Sequence, residues 1–254
     1  MGRVLVVANQ KGGVGKTTTV INLGAALAER GSRVLLIDLD PQAGLSASLG
    51  FDPYKVNPTT HTLLMDEKVS LDRIVCPFGE RLWVAPANID LAAAEYGLPR
   101  VDDSAGRLRR ALDGKREHVD FVLIDTPPSL GILTVNGLVA ADELVIPVEC
   151  QYLAMRGIRA LLETAWLLQK RIHHDVHLLG ILATMYRPDS LHASEVVNEL
   201  RAVFGDKVFQ TVIEMDESVM IAPAARKSVL SFKPDSPAAI AYRSLAEEVL
   251  RSDS

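Results

Sequence analysis

Short runs of apolar, often β-branched residues recur along the chain, and between them apolar positions fall three and four residues apart. Residues 3–8, 33–38, 82–86, 120–125, 143–148 and 178–184 read as buried strands, with a short last one at 208–213. Helical spacing occupies 16–28, where Ile21, Leu23, Ala26 and Leu27 share an inward face, and returns at 157–173, 194–204 and 237–251. Gly31 offers the first helix its C-terminal stop. Strands that are apolar throughout and separated by helices predict an α/β fold, with a mostly parallel central sheet and helices on both faces. Such sheets bind ligands beyond the carboxyl ends of their strands. Residues 50–70 contain Pro53 and Pro58 and few periodic positions, and read as a surface excursion with a short helix.

At 254 residues, 48% of them hydrophobic, the chain can bury a core as one domain spanning 1–254. No repeat, low-complexity tract or Pro/Gly/Ser linker divides it. A net charge of −5 provides no global basic field for nucleic acid, although a local patch is compatible with it. Cys76 and Cys150 stand far apart without a C-x-x-C pair, as small core thiols of a reduced compartment would. The first residues run straight into a strand, without the charged-then-apolar layout of a leader, and no stretch is apolar enough to span a bilayer. Val6 breaks the myristoylation pattern that Gly2 would begin. A cytoplasmic protein without membrane attachment is expected.

Candidate chemistry gathers first at residues 11–18, K-G-G-V-G-K-T-T, between the first strand and the first helix. Gly12, Gly13 and Gly15 let the backbone, with the N–H of Val14 among its donors, turn toward one point, where a helix N-terminus adds partial positive charge. In that setting Lys16 reaches terminal phosphates, and the hydroxyl of Thr17, followed by Thr18, helps to hold Mg²⁺. The plain alternative is a glycine-rich turn without a ligand, which leaves the strand, loop and helix sequence unexplained. Gln10 stands where G-x-x-x-x-G-K-[ST] has its first glycine, and Lys11 places a second lysine ahead of the loop. Spelled K-G-G-x-G-K-[ST], this is the deviant form of the Walker A loop. The chain thereby resembles the ParA/MinD family of ATPases, in particular the ParA (Soj) branch, over residues 4–250.

The resemblance implies a single-domain P-loop NTPase fold, ATP and Mg²⁺ as cofactors, and a slow intrinsic ATPase. It implies that Lys11 crosses the interface of an ATP-dependent homodimer to the nucleotide of the facing subunit, an in-trans charge comparable to an arginine finger. Asp125 ends an apolar strand and opens D-T-P-P, the Walker B arrangement for a Mg²⁺-bound water; a turn before proline is the plainer reading. Asp38 and Asp40 share a strand face in D-L-D-P-Q. By resemblance Asp40 positions the attacking water and Asp38 supports the Mg²⁺ shell. An aspartate is a weak base at neutral pH, so orientation is the task that suits Asp40. No N-K-x-D guanine signature appears. The resemblance places adenine at the loops after the sixth and last strands, where Glu214 and Asp216 take positions that usually carry proline and asparagine.

ParA-type dimers bind DNA without sequence preference, through basic residues that include arginines in the segment matching 213–223. Here Met215 and Ser218 stand at those places, beside Asp216 and Glu217, and acidic groups repel phosphates. Two clusters could compensate: Lys170, Arg171, His173 and His174, or Arg226, Lys227 and Lys233, each of which is otherwise a solvated face. The acidic, polar end of the chain lacks the basic amphipathic helix of the MinD branch. Thr126 follows the Walker B strand where the nitrogenase iron-protein branch would need a cysteine. The expectation is an ATP-driven dimer switch for chromosome or plasmid partitioning or cargo positioning, with a ParB-like activating partner and non-specific DNA. The rival is a nucleotide-gated adaptor that positions a non-DNA cargo through its acidic surface; a third reading is a metal-cluster carrier or metabolic ATPase.

Overall fold

Alternate residues of the first strand, β1 (Arg3–Val7), enter two different cores: Val4 and Val6 one, Leu5 and Val7 the other. This is the period-two pleat of a strand buried on both faces. The computed structural model describes residues 1–151, 154–172 and 175–252. Seven further strands complete the sheet: β2 (Val34–Asp38), β3 (Cys76–Pro77), β4 (Leu82–Ala85), β5 (Phe121–Asp125), β6 (Glu143–Glu149), β7 (His177–Tyr186) and β8 (Val208–Glu214). Their order is β3-β4-β2-β5-β1-β6-β7-β8, and every pairing is parallel except β3 with β4.

On the Leu5 side pack α1 (Lys16–Glu29), α2 (Gly44–Ser48), α10 (Val229–Phe232) and α11 (Pro237–Arg251). The Val4 side carries α3 (Thr60–Met65), α4 (Leu91–Gly97), α5 (Arg107–Leu112), α6 (Ile132–Ala140), α7 (Ala154–Ile172) and α8 (Leu191–Phe204). A short α9 (Glu217–Ile221) follows β8. Among the described residues no helix is long and apolar enough to cross a membrane.

Strand order reverses direction at β1: β2 to β5 lie to one side of it and β6 to β8 to the other. The loop after β1 therefore opens at the topological switch point, where open α/β sheets bind ligands. α1 leaves this loop and lies close on the sheet. A Cβ added at Gly24 would stand 2.6 Å from Leu36 Cδ2 and 3.2 Å from Leu123 Cδ1, so any side chain there would have to displace the Leu36 methyl.

The expected strands and long helices are present with ends shifted by a few residues, and 50–70 holds α3 alone as a full α-helix. The sequence carries no expectation for β3 or for the shorter helices α2, α4, α5, α6, α9 and α10. β3 is two residues long, too short for periodicity. α6 buries Leu133, Thr134 and Asn136 to Ala140, almost its whole circumference, so it carries no amphipathic stripe.

Candidate nucleotide site

The loop between β1 and α1 is tied at both ends to strands from elsewhere in the sheet. Asn9 donates through Nδ2 to the carbonyl of Pro147 on β6 (2.8 Å) and accepts the amide of Lys11 at Oδ1 (3.0 Å). Thr184, at the end of β7, donates its hydroxyl to the carbonyl of Val14 (3.0 Å). Gly13 and Gly15 have φ of +76° and +86°, the left-handed backbone that glycine tolerates, and Gly15 caps α1 in that conformation. A cavity of about 230 Å³ lies over the loop, lined by Gly12, Gly13 and Gly15, by Lys16, Thr17 and Thr18, and by Asp40, Pro128 and Met185. Convergent amides at a helix start make such a concavity an anion site.

Lys16 is buried, and its ammonium donates to the carbonyl of Lys11 (3.2 Å). Burial pulls its pKa down, while Asp125 and Asp40 hold the charge in place. Thr17 donates its hydroxyl to Asp125 Oδ2 (2.7 Å). The other oxygen, Asp125 Oδ1, is buried without any partner. An orphaned carboxylate oxygen beside a loop threonine is a donor set suited to a hydrated Mg²⁺ ion, which keeps several waters and takes few protein ligands. Burial, then the charge of Asp38, pushes the Asp125 carboxyl well up from the usual carboxylate range. A cation placed there would relieve that penalty.

Asp38 is register partner to Asp125 on the neighbouring strand, and both are fully buried. Burial pushes the Asp38 carboxyl up to about 6, against the hydrogen bonds it accepts. Its Oδ1 accepts the Asp40 amide (3.0 Å), and its Oδ2 accepts both the amide (2.9 Å) and the hydroxyl (2.6 Å) of Ser46. Asp40 is part-exposed at the cavity wall and accepts the Gln42 amide (2.9 Å).

Lys11 does not line the cavity its loop forms. Its half-exposed ammonium pairs with Glu149 Oε2 (2.6 Å) at the end of β6 and donates to Gln151 Oε1 (3.1 Å).

Glu214 and Asp216 lie outside the cavity. Asp216 caps α9: its Oδ1 accepts the amide and hydroxyl of Ser218 (2.8 and 2.6 Å), and its Oδ2 accepts the Ala238 amide (3.1 Å). That carboxylate is committed to joining α9 and α11, which is a local reason for an acid at this position. Of the two basic clusters, Arg226, Lys227 and Lys233 are exposed, and Lys170 stacks over the Trp166 ring at 3.7 Å. His173, His174 and the side chain of Arg171 lie outside the described residues.

Sequence reasoning passed over Thr184, Met185, Glu149 and Pro128. Met185 has φ of +52°, a conformation that costs a non-glycine residue about 1–2 kcal/mol. Backbone of this kind concentrates at binding sites. Nothing in the residue type announces it; Glu149 alone left a trace, as an acid closing an apolar strand.

The family model described as an AAA domain matches residues 2–178. The chain is 42% identical over 249 residues to the sporulation initiation inhibitor protein Soj of Bacillus subtilis, a match covering 98% of either chain. It is 41% identical to the chromosome partitioning protein ParA of Caulobacter vibrioides, over 98% of this chain and 94% of that one. A solved structure from Mycobacterium smegmatis, described as cobyrinic acid a,c-diamide synthase with bound ADP and magnesium, superposes with a TM-score of 0.86. It is 41% identical, over 99% of this chain and 95% of that one.

Proposed function

Because this chain belongs to the ParA/MinD family of P-loop ATPases, we propose that it hydrolyses ATP as a dimer switch. In this reading ATP joins two copies across their loop-bearing faces and hydrolysis parts them. The switch serves chromosome or plasmid partitioning, or the positioning of another cargo. The paired form holds non-specific DNA and thus associates with the nucleoid, and a ParB-like partner stimulates turnover. The name of the Caulobacter relative supports partitioning as the setting.

The ligands would be ATP and Mg²⁺. The amides of residues 12–18 and the Lys16 ammonium hold the phosphates. Thr17 and Asp125 would hold the ion, which would supply neutralising charge to the phosphoryl oxygens. Asp40, at the cavity wall, orients water for in-line attack. Asp38 has every oxygen engaged by protein donors, so its support of the ion is indirect, through the turn it holds.

One observation carries the dimer. The signature cation, Lys11, lies outside its own phosphate cavity, half-exposed and held by an ion pair at the rim. Exposed pairs contribute only ~0–1 kcal/mol, so a second subunit's triphosphate could recruit the ammonium at small cost. Lys11→Ala should abolish ATP-dependent dimerisation and hydrolysis while leaving measurable nucleotide binding. Sedimentation showing that variant dimerising normally with ATP would refute the assignment.

The synthase name of the mycobacterial structure supports a second, metabolic reading.

A further inference from the structure

We propose that Ser46 is a positioning residue for hydrolysis, acting through Asp38 on Asp40; this rests on the reading of Asp40 as the group that orients water. The geometry is a closed hydrogen-bond circuit under the cavity wall. Asp38 is fully buried at the end of β2, and three donors converge on its carboxylate. Oδ1 accepts the Asp40 amide at 3.0 Å, and Oδ2 accepts the Ser46 amide at 2.9 Å and the Ser46 hydroxyl at 2.6 Å. The one carboxylate thereby ties both ends of the 40–46 turn. In the middle of that turn Ala43 is held at φ +50°, and Asp40 accepts the Gln42 amide.

The serine is fixed from its other side as well. Its oxygen accepts the amide of Ala87 (2.8 Å), in the loop after β4, so the hydroxyl proton is left to Asp38. Ala87, Ser46 and Asp38 are all inaccessible to solvent, so no water replaces a missing member of the circuit. A 2.6 Å hydroxyl–carboxylate bond belongs to the strong, charge-assisted class. Ser46 does not touch the cavity; it sets where the Asp40 backbone lies, and with it where the Asp40 carboxylate meets the reacting water. Displacements of about 1 Å at such a group cost on the order of 100-fold in rate.

The test compares Ser46→Ala, Ser46→Thr and Asp40→Ala with the wild type, reading Mg-ATP turnover, KM, nucleotide affinity and melting temperature. Ser46→Ala should lower kcat by about tenfold or more, with KM and nucleotide affinity held within about threefold, because residues 12–18 are untouched. Ser46→Thr, which keeps the hydroxyl, should recover most of that rate. Wild-type turnover in Ser46→Ala, with Asp40→Ala inactive, would overturn the inference and leave Asp40 standing. Equal losses of turnover and melting temperature in the Ala and Thr variants would also overturn it, since a merely structural serine behaves that way. If Asp40→Ala itself turns over normally, the Asp40 reading fails and this inference falls with it.

Discussion

Lys11 and Glu149 form the ion pair on which the switch would turn, and the chemistry of one carboxylate tests it from two sides. The pair is 2.6 Å long, with the Lys11 side chain half-exposed and Glu149 mostly covered. In the single chain the ammonium is satisfied at home; in a dimer it would have to leave. Glu149→Gln removes the charge that retains it, so ATP-dependent dimers should form at up to several-fold lower protein concentration, the equivalent of ~0–1 kcal/mol. Sedimentation at matched ATP would read this, and an unchanged or weaker dimer would mean that the pair does not compete with assembly. The same substitution has a second readout next door. Burial first, and the Glu149 charge second, push the Cys150 thiol up to about 11. A raised thiol pKa keeps the proton on until the pH climbs toward that value, so alkylation of Cys150 at pH 8–9 should be slow in the wild type. It should quicken when the neighbouring charge is removed.

At the scale of elements, α1 carries the site because it both starts at the loop and lies on the sheet without a side chain between. Gly24→Val would drive a branched side chain into Leu36 and Leu123, both fully buried. Overpacking of this kind costs ~1–3 kcal/mol, and a chain of this size loses about 2–4 °C of melting temperature per kcal/mol. Because Lys16 and Thr17 open the same helix, nucleotide affinity should fall with it; a melting temperature that holds or rises would show that the sheet yields at this point. Elements of this sort were legible in the sequence because their signal is contiguous. β2 and β5 announce themselves as unbroken apolar runs ending in aspartate, and α1 as a period that follows a glycine loop. α6 was not legible, since a helix buried on nearly every side has no polar face to mark its period. The phosphate loop, Asp40 and Asp125 could be read from a few adjacent letters. Thr184 could not: its bond to Val14 joins residues 170 apart in sequence, through a sheet order that only folding sets. The capping role of Asp216 was not legible either, because a capping carboxylate and a ligand-binding one look alike until their hydrogen-bond partners are known.

On the scale of the whole molecule, a chain with a net charge of −5 must hold DNA, if it does so, through a local surface rather than its overall field. Arg226, Lys227 and Lys233 offer one. All three are exposed, and among the described residues none is within ion-pair distance of a carboxylate, unlike Arg30, Arg33, Arg110 and Arg243. Arg226 sits at φ +56°, a left-handed turn that closes the segment after α9, and Lys233 closes α10. Pairing two copies would double the cluster, which is how a weak patch becomes useful only in the ATP-bound form. The acids at 214–217 are less of an obstacle than their charge suggests, because Asp216 is tied into the start of α11 and lies under the influence of Lys233. Replacing Arg226, Lys227 and Lys233 with alanine should therefore weaken ATP-dependent retention on random-sequence duplex and flatten its salt dependence. Each lost phosphate contact removes about 0.9 from the slope of log affinity against log salt. ATP-dependent dimerisation should persist in the triple variant, since none of the three lines the nucleotide cavity. Retention with the wild-type salt slope would move DNA binding to another surface, and a wild type that ignores duplex at low salt with ATP would leave the acidic rim and a protein cargo as the better account of what the switch carries.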